Sequence, residues 1–131
     1  MTRTVSQNAR RSRRKGHAFE RDLSAVLRAV YPEAARCIAQ SRTAKREGCD
    51  VEGTPWWIES KVGARPDILG AIRQALADTD GRPVLVVTKQ DRGVPLATLP
   101  LAELIRLLPR TVTAKMAAAL DAADRIPTRT A

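Results

Sequence analysis

The stretch from residue 48 to residue 63 constrains the fold of this chain more than any other. It reads Gly-Cys-Asp-Val-Glu-Gly-Thr-Pro-Trp-Trp-Ile-Glu-Ser-Lys-Val-Gly, with short apolar segments on both sides of a Gly-Thr-Pro turn. Such a pattern is typical of a β-hairpin. Because side chains alternate along a strand, Trp57, Glu59 and Lys61 are predicted to share one face of the second strand. Asp50 reaches the same side if the strand pairing sets it opposite Glu59.

These charged side chains have the chemistry of a hydrolytic metal site. Mg²⁺ prefers oxygen ligands, and Asp50, Glu59 and the carbonyl of Ser60 would supply three. Lys61 suits either of two roles, to position or deprotonate a water or to neutralise charge on a phosphate. The alternative is that Glu59 and Lys61 form a surface pair worth well under ~1 kcal/mol. The combination with Asp50 across a turn favours a nuclease site.

The positive charge is concentrated in the first third of the chain. The net charge is +9, and residues 1–48 hold 12 Lys/Arg against 4 Asp/Glu, whereas residues 49–131 hold 11 against 10. A charge needed only for solubility would be spread more evenly. Because arginine binds phosphate bidentately, the excess indicates a polyanionic partner, with nucleic acid as the first candidate. A basic surface without a specific partner is the alternative.

Residues 1–15 are predicted to form a flexible basic arm, because Val5 is their only large apolar residue and they cannot bury enough surface to become ordered. A second basic segment precedes Gly48 in a polar loop, for which a solvated charged turn is the alternative. The residues expected to contact nucleic acid are Arg10, Arg11, Arg13, Arg14 and Lys15 in the arm and Arg42, Lys45 and Arg46 in the loop.

Apolar residues recur at helical spacing from about His17 to Val30, which predicts an amphipathic helix. Glu20 lies in its first turn. The ordinary role of a glutamate there is a favourable interaction with the helix dipole. A second role is to reach over the sheet edge and add a carboxylate to the site.

The remaining chain alternates between strand and helix patterns. We predict strands over 36–41, 83–89 and 94–99, and helices over 66–78, 100–108 and 113–123. A strand, helix and strand in this order imply a parallel crossover, and hence an α/β fold. The domain organisation predicted is the arm over 1–15, a core domain over 16–110 and a helical C-terminal tail over 111–131.

No apolar run approaches the ~20 residues that a membrane-spanning helix needs. The N-terminal arginines are not followed by an apolar stretch, as they would be in a secretory signal. We therefore expect a cytoplasmic protein, from a bacterial host or a phage, that does not bind a membrane.

Asp50, the hairpin turn and Glu59-Ser60-Lys61 resemble the motif of the PD-(D/E)XK nucleases. The segment Arg-Arg-Lys-Gly-His-Ala-Phe-Glu-Arg-Asp-Leu, over residues 13–23, resembles the opening of the archaeal-type Holliday-junction resolvases and their phage relatives. The chain departs from the motif at Cys49, which stands where the motif has proline. Beyond Gly93 it matches nothing in the family.

The resemblance implies a restriction-endonuclease-like core, a central mixed sheet flanked by helices. It implies that Glu20 joins Asp50 and Glu59 at a metal site holding Mg²⁺ or Mn²⁺, with Gln74 near it. In the resolvases it also implies a homodimer. The function expected is a metal-dependent DNA endonuclease acting on branched or structured DNA. The alternatives are a restriction- or repair-type nuclease acting on duplex or single-stranded ends, and a DNA-binding module without catalysis.

Overall fold

A computed structural model of the chain describes residues 5–37, 48–108 and 113–125. Its elements are α1 (Val5–Leu27), β1 (Ala35–Arg36), β2 (Val51–Glu52), β3 (Trp57–Gly63), α2 (Ile68–Asp78), β4 (Val84–Gln90), β5 (Pro95–Thr98), α3 (Leu101–Leu107) and α4 (Thr113–Asp124). The chain divides into two units, one ending at Thr98 and the other beginning at Leu99. The predicted core boundary at residue 110 therefore falls inside the second unit.

The five strands form one mixed sheet in the order β1-β2-β3-β4-β5. Strands β3 and β4 are parallel and joined by α2, while the other neighbours are antiparallel. The predicted parallel crossover is therefore confirmed. The prediction of an α/β protein with a central mixed sheet flanked by helices is also confirmed.

The hairpin between β2 and β3 turns where the sequence predicts. Gly53 has a φ of 78°, which disfavours any residue with a Cβ, and a Cβ there would also collide with the carbonyl oxygen of Glu33. Thr54 Oγ1 accepts a hydrogen bond of 3.1 Å from the backbone N–H of Trp56. The turn sets Val51 opposite Ile58, and both are completely buried.

Helix α2 covers one face of the sheet. Asp67 caps its first turn by accepting a hydrogen bond of 2.9 Å from the N–H of Gly70. Ala71 and Ala75 are buried, and their small side chains let the helix lie close to the strands. They pack with Trp57, Val84, Val86 and Cys49 in one apolar cluster. The scarcity of aromatic residues thus leaves Trp57 as the large member of an otherwise small-residue and aliphatic core.

Helix α1 covers the opposite face. Ile58 lies in register with Arg36 through β2, so both side chains point to the same face, and Arg36 pairs with Glu20 of α1. Trp57, the neighbour of Ile58, points to the other face, where it meets Ala71 of α2. The two helices therefore flank opposite sides of the sheet.

The structure differs from the predicted arm. Residues 5–15 belong to α1, which begins at Val5 and ends at Leu27, instead of spanning about 17–30. Arginine, lysine, glutamine and alanine are good helix formers, and a helix anchored by the buried Phe19 and Leu23 is extended at little cost into such a sequence. The predicted first strand is represented by Ala35–Arg36, and residues 38–41 lie outside the described part.

The second unit contains two helices that pack on each other, α3 and α4. Glu103 pairs with Arg106 at 2.6 Å and Asp121 with Arg125 at 2.6 Å, both within one helix. Both helices fall where the sequence predicts them. Within the described ranges of the whole chain, no helix is long and apolar enough to cross a membrane.

Candidate active site

Asp50 is fixed at the point where the pairing of β2 with β3 ends. Its backbone continues the sheet, since its carbonyl accepts from Cys37 N at 2.9 Å and its N–H donates to Ile58 O at 2.8 Å. Its side-chain Oδ2 accepts from the N–H of Ser60 at 2.7 Å and from the Ser60 hydroxyl at 3.1 Å. The carboxylate therefore accepts the backbone hydrogen bond that Ser60 of β3 would otherwise donate to a longer β2 strand. The second oxygen, Oδ1, takes no part in these two hydrogen bonds.

The carbonyl of Ser60 faces the same side of β3 as its N–H, because both backbone groups of a strand residue point towards the same neighbouring strand in an antiparallel pair. That N–H bonds Asp50. The Ser60 carbonyl predicted as a metal ligand thus lies on the Asp50 side of the strand.

Glu59 is a buried carboxylate, 5% exposed, on the face of β3 that α2 covers. Burial first, and then the charge of Asp50, raise its pKa from 4.5 to about 7, against a lowering by Lys61. Among the described residues Glu59 forms no ion pair. A buried carboxylate without an ion-pair partner is costly, and the alternative of a Glu59–Lys61 surface pair does not describe this residue.

Lys61 lies two residues along β3 from Glu59, on the same face and partly exposed. It acts on Glu59 through its charge, which lowers the glutamate pKa, and not through a salt bridge. The Lys61 ammonium is therefore close enough to bias the site and still available to water or a substrate.

Trp57 lies between Glu59 and the apolar core. Its indole Nε1–H is fully buried and, among the described residues, has no hydrogen-bond partner of normal geometry. It nevertheless helps to lower the pKa of Glu59, which shares its face. As expected from the alternation, Trp57 lies beside Glu59, and it packs in the core.

Arg82 contacts both tryptophans beside the site, a role that the sequence did not predict. Its guanidinium donates to the carbonyl of Trp56 at 3.2 Å, bonds Asp80 at 2.9 Å and lies 5.4 Å from the centre of the Trp57 ring. It also reaches Cys49 Sγ at 3.6 Å, directly before Asp50. A lone arginine in a Gly-Pro turn carries no sequence signal for such a role, which depends on β3 and β4 being neighbours.

Glu20 binds Arg36 and makes no described contact with Asp50 or Glu59. Its Oε2 accepts a hydrogen bond from Arg36 Nε at 2.6 Å, on the face of the sheet opposite to Glu59. In keeping with this, no group of three or more His, Cys, Asp or Glu in the described ranges is arranged to hold a metal.

Gln74 is exposed on α2, one turn before Asp78. Asp78 contributes to raising the pKa of Glu59, so this end of α2 lies over the site. Asp78 was not predicted as a site residue; its only sequence signal is the four-residue spacing from Gln74, which puts both on one helix face.

Four predicted nucleic-acid contacts, Arg10, Arg11, Arg13 and Arg14, are exposed on α1. Lys15 differs from them, because its ammonium pairs with Asp91 in the turn after β4. The three predicted for the loop, Arg42, Lys45 and Arg46, lie outside the described residues.

The donor set fits a hard divalent cation at Asp50 and Glu59. Their oxygens are the ligand type that Mg²⁺ and Mn²⁺ prefer, and the effect of Asp50 on the pKa of Glu59 reflects a repulsion that a cation would relieve. The site would thus be built from two carboxylates, completed by backbone oxygen, water or substrate.

No family model, curated protein or solved structure matches this chain. The resemblance to the PD-(D/E)XK nucleases therefore stays a prediction, carried by the residues of the hairpin themselves.

Proposed function

We propose that this protein is a metal-dependent endodeoxyribonuclease with a restriction-endonuclease-like core. One observation carries the proposal: Glu59 is a buried carboxylate without an ion-pair partner among the described residues, next to Asp50. A fold does not keep such a group for stability, and a buried carboxylate with a raised pKa beside a second carboxylate favours a catalytic or metal-binding role.

Asp50 and Glu59, with the Ser60 carbonyl, are the residues that would hold Mg²⁺ or Mn²⁺. When bound there, the metal supplies charge neutralisation for the phosphate and makes a bound water more acidic. In this proposal the Lys61 ammonium orients the attacking water or binds a phosphate oxygen. Trp57 and α2 exclude bulk water from Glu59, and Arg82 fixes the turn that precedes β3.

DNA is the proposed substrate because α1 carries several exposed arginines that form no ion pair with another described residue, and because Glu59-Ser60-Lys61 resembles a nuclease motif. Because of the resemblance to the resolvases, branched or otherwise structured DNA is the preferred substrate. The alternative is a nuclease with the same reaction that acts on duplex or single-stranded ends. A cytoplasmic homodimer belongs to the same proposal.

A DNA-binding module without catalysis is the second candidate. The observation in its favour is Glu20, which the resemblance assigns to the metal site and which is bound instead to Arg36. That candidate predicts salt-sensitive DNA binding and no cleavage with any divalent ion.

Substitution Glu59→Gln tests the proposal, since glutamine keeps the shape and removes the charge. Wild-type protein and variant are incubated with Mg²⁺ and a panel of four-way junction, flap, nicked, linear duplex and single-stranded DNA. We expect the variant to lose cleavage by at least about 100-fold, because the carboxylate acts on the reacting centre. Binding measured in EDTA should stay within about twofold. If Glu59→Gln still cleaves DNA, Glu59 is not part of the active site. If the wild-type protein cleaves none of these substrates, the DNA-binding module without catalysis is favoured.

A further inference from the structure

The outer face of α1 is a continuous basic surface. We define it by Arg10, Arg11, Arg14, His17, Arg21 and Arg28, all exposed. At 100° per residue Arg10, Arg14, Arg21 and Arg28 lie opposite Phe19 and Leu23, which pack against the sheet, and His17 and Arg11 lie on the two flanks. Arg28 continues the helical turn by donating its N–H to Ser24 O at 3.1 Å. At 1.5 Å per residue the row is about 27 Å long.

The arginines of this face are distinguished by recurring along successive turns of one helix with no acidic partner; Arg13, Arg65, Arg73 and Arg92 also form no ion pair among the described residues, but they do not line up in this way. In the described part of the chain none of the five forms an ion pair, whereas Arg36, Arg82, Arg106 and Arg125 each bind a carboxylate. A row of unpaired guanidinium groups on a rigid helix repels itself, and a polyanion relieves that repulsion. The face is therefore built for an external anionic partner.

The chemistry of the face favours the backbone of duplex nucleic acid over a lipid surface. A helix that lies on a membrane inserts an apolar side, but the apolar side of α1, with Phe19 and Leu23, is buried in the protein. The outer face itself carries no large apolar residue between Arg10 and Arg28. Arginines at successive turns match phosphates through bidentate bonds, and an α-helix fits a groove about 12 Å wide.

The outer face of α1 also lies on the opposite side of the sheet from Glu59, which α2 covers. We propose that it is a second nucleic-acid-binding surface, separate from the acidic site, that holds the phosphate backbone of a duplex. One chain then contacts two segments of nucleic acid, as a branched molecule provides. The surface does not depend on catalysis, so it holds whether or not the proposed nuclease activity is found.

A charge-matched pair of variants tests this surface. The first combines Arg10→Gln, Arg14→Gln and Arg21→Gln. The control combines Arg13→Gln, which lies off the outer face, with Arg106→Gln and Arg125→Gln, and removes the same charge. Binding of a labelled duplex of about 24 base pairs is followed by anisotropy in EDTA, from about 50 to 200 mM NaCl.

We expect the first variant to bind at least about tenfold more weakly at about 100 mM salt, with the slope of log K against log salt reduced by about 2–3. The control should bind like the wild type within about twofold. Equal losses in the control would show a general charge effect and overturn the proposal. A first variant that keeps wild-type duplex binding, or that loses only binding to phosphatidylserine vesicles, would also overturn it. Because EDTA prevents cleavage, a failure of the nuclease assignment would not change these outcomes.

Discussion

The two faces of the sheet handle their carboxylates in opposite ways. On the α1 face, Glu20 is largely buried and pairs with Arg36 at 2.6 Å, so each charge stabilises the other. On the α2 face, Glu59 is more deeply buried and has no ion-pair partner among the described residues, while Asp50 adds repulsion. The first arrangement is what a fold needs to hold a helix on a strand.

The second arrangement lowers the stability of the folded protein, and such groups concentrate at functional sites. A side chain that destabilises the folded protein is better explained by a function than by stability, and the function we propose for it is binding a cation near a phosphate. The difference teaches that the pairing of a charge, more than its presence, separates structural from functional carboxylates in this molecule.

The largest expected effect, on cleavage, tests whether the carboxylates on the α2 face are functional, and it concerns Asp50. Substitution Asp50→Asn removes the charge opposite Glu59 and keeps an oxygen that can still accept from Ser60. We expect Mg²⁺-dependent cleavage to fall by at least about 100-fold, since a metal would lose one of two carboxylates. The matched control is Glu52→Gln, an exposed carboxylate on β2, which should leave the rate within about twofold. Equal losses in both variants would mean that general charge near the hairpin matters, and not a site.

The next effect concerns stability against pH. Glu59 has a pKa of about 7 in the folded protein against 4.5 for an unperturbed glutamate, so between these values the folded state holds a proton that the unfolded state has lost. Its contribution to stability therefore falls as the pH rises from about 4.5 through 7, by roughly 2–3 kcal/mol. Glu59→Gln removes this dependence, and the variant should be the more stable protein at pH 8 and comparable at low pH.

Urea denaturation of both proteins in EDTA, at several pH values across this window, measures the difference directly. Added Mg²⁺ at about 100 times its Kd should then stabilise the wild type at pH 8 by about 2.7 kcal/mol and leave Glu59→Gln unchanged. Parallel stability curves for the two proteins would show that Glu59 titrates like an exposed glutamate, and the contrast between the faces would disappear.

The sequence predicted most of the fold because local and long-range signals agree in this chain. The Gly53-Thr54-Pro55 turn, the Asp67 cap and the Val-rich strand over 84–90 each specify their own element. The prediction of a flexible arm at the N-terminus was based on low hydrophobicity, which says whether a segment buries surface. It does not say whether a helix already nucleated by Phe19 continues outwards.

The sequence predicted the arrangement of the candidate site within the hairpin, but not the contacts of the hairpin with other elements. The alternation that puts Glu59 and Lys61 on one face is local, and the hairpin register that brings Asp50 beside Glu59 follows from the turn. The separation of Glu20 from Glu59 depends on which face α1 covers, and nothing local encodes that. Arg82 likewise reaches Trp57 only because β4 begins beside β3.

The smallest effect, and the one that sharpens the comparison most, is expected at Glu20. If its role is only to hold α1 on β1, Glu20→Gln should lower stability by about 1–2 kcal/mol through the unpaired Arg36, which is half-buried. Arg36→Gln should cost a similar amount, and the double variant less than their sum, because the two residues interact. Cleavage by the folded variants should stay within about threefold of the wild type. A loss of cleavage in Glu20→Gln as large as in Asp50→Asn, with stability unchanged, would instead put Glu20 at the metal and require α1 to bring it across the sheet edge when substrate binds.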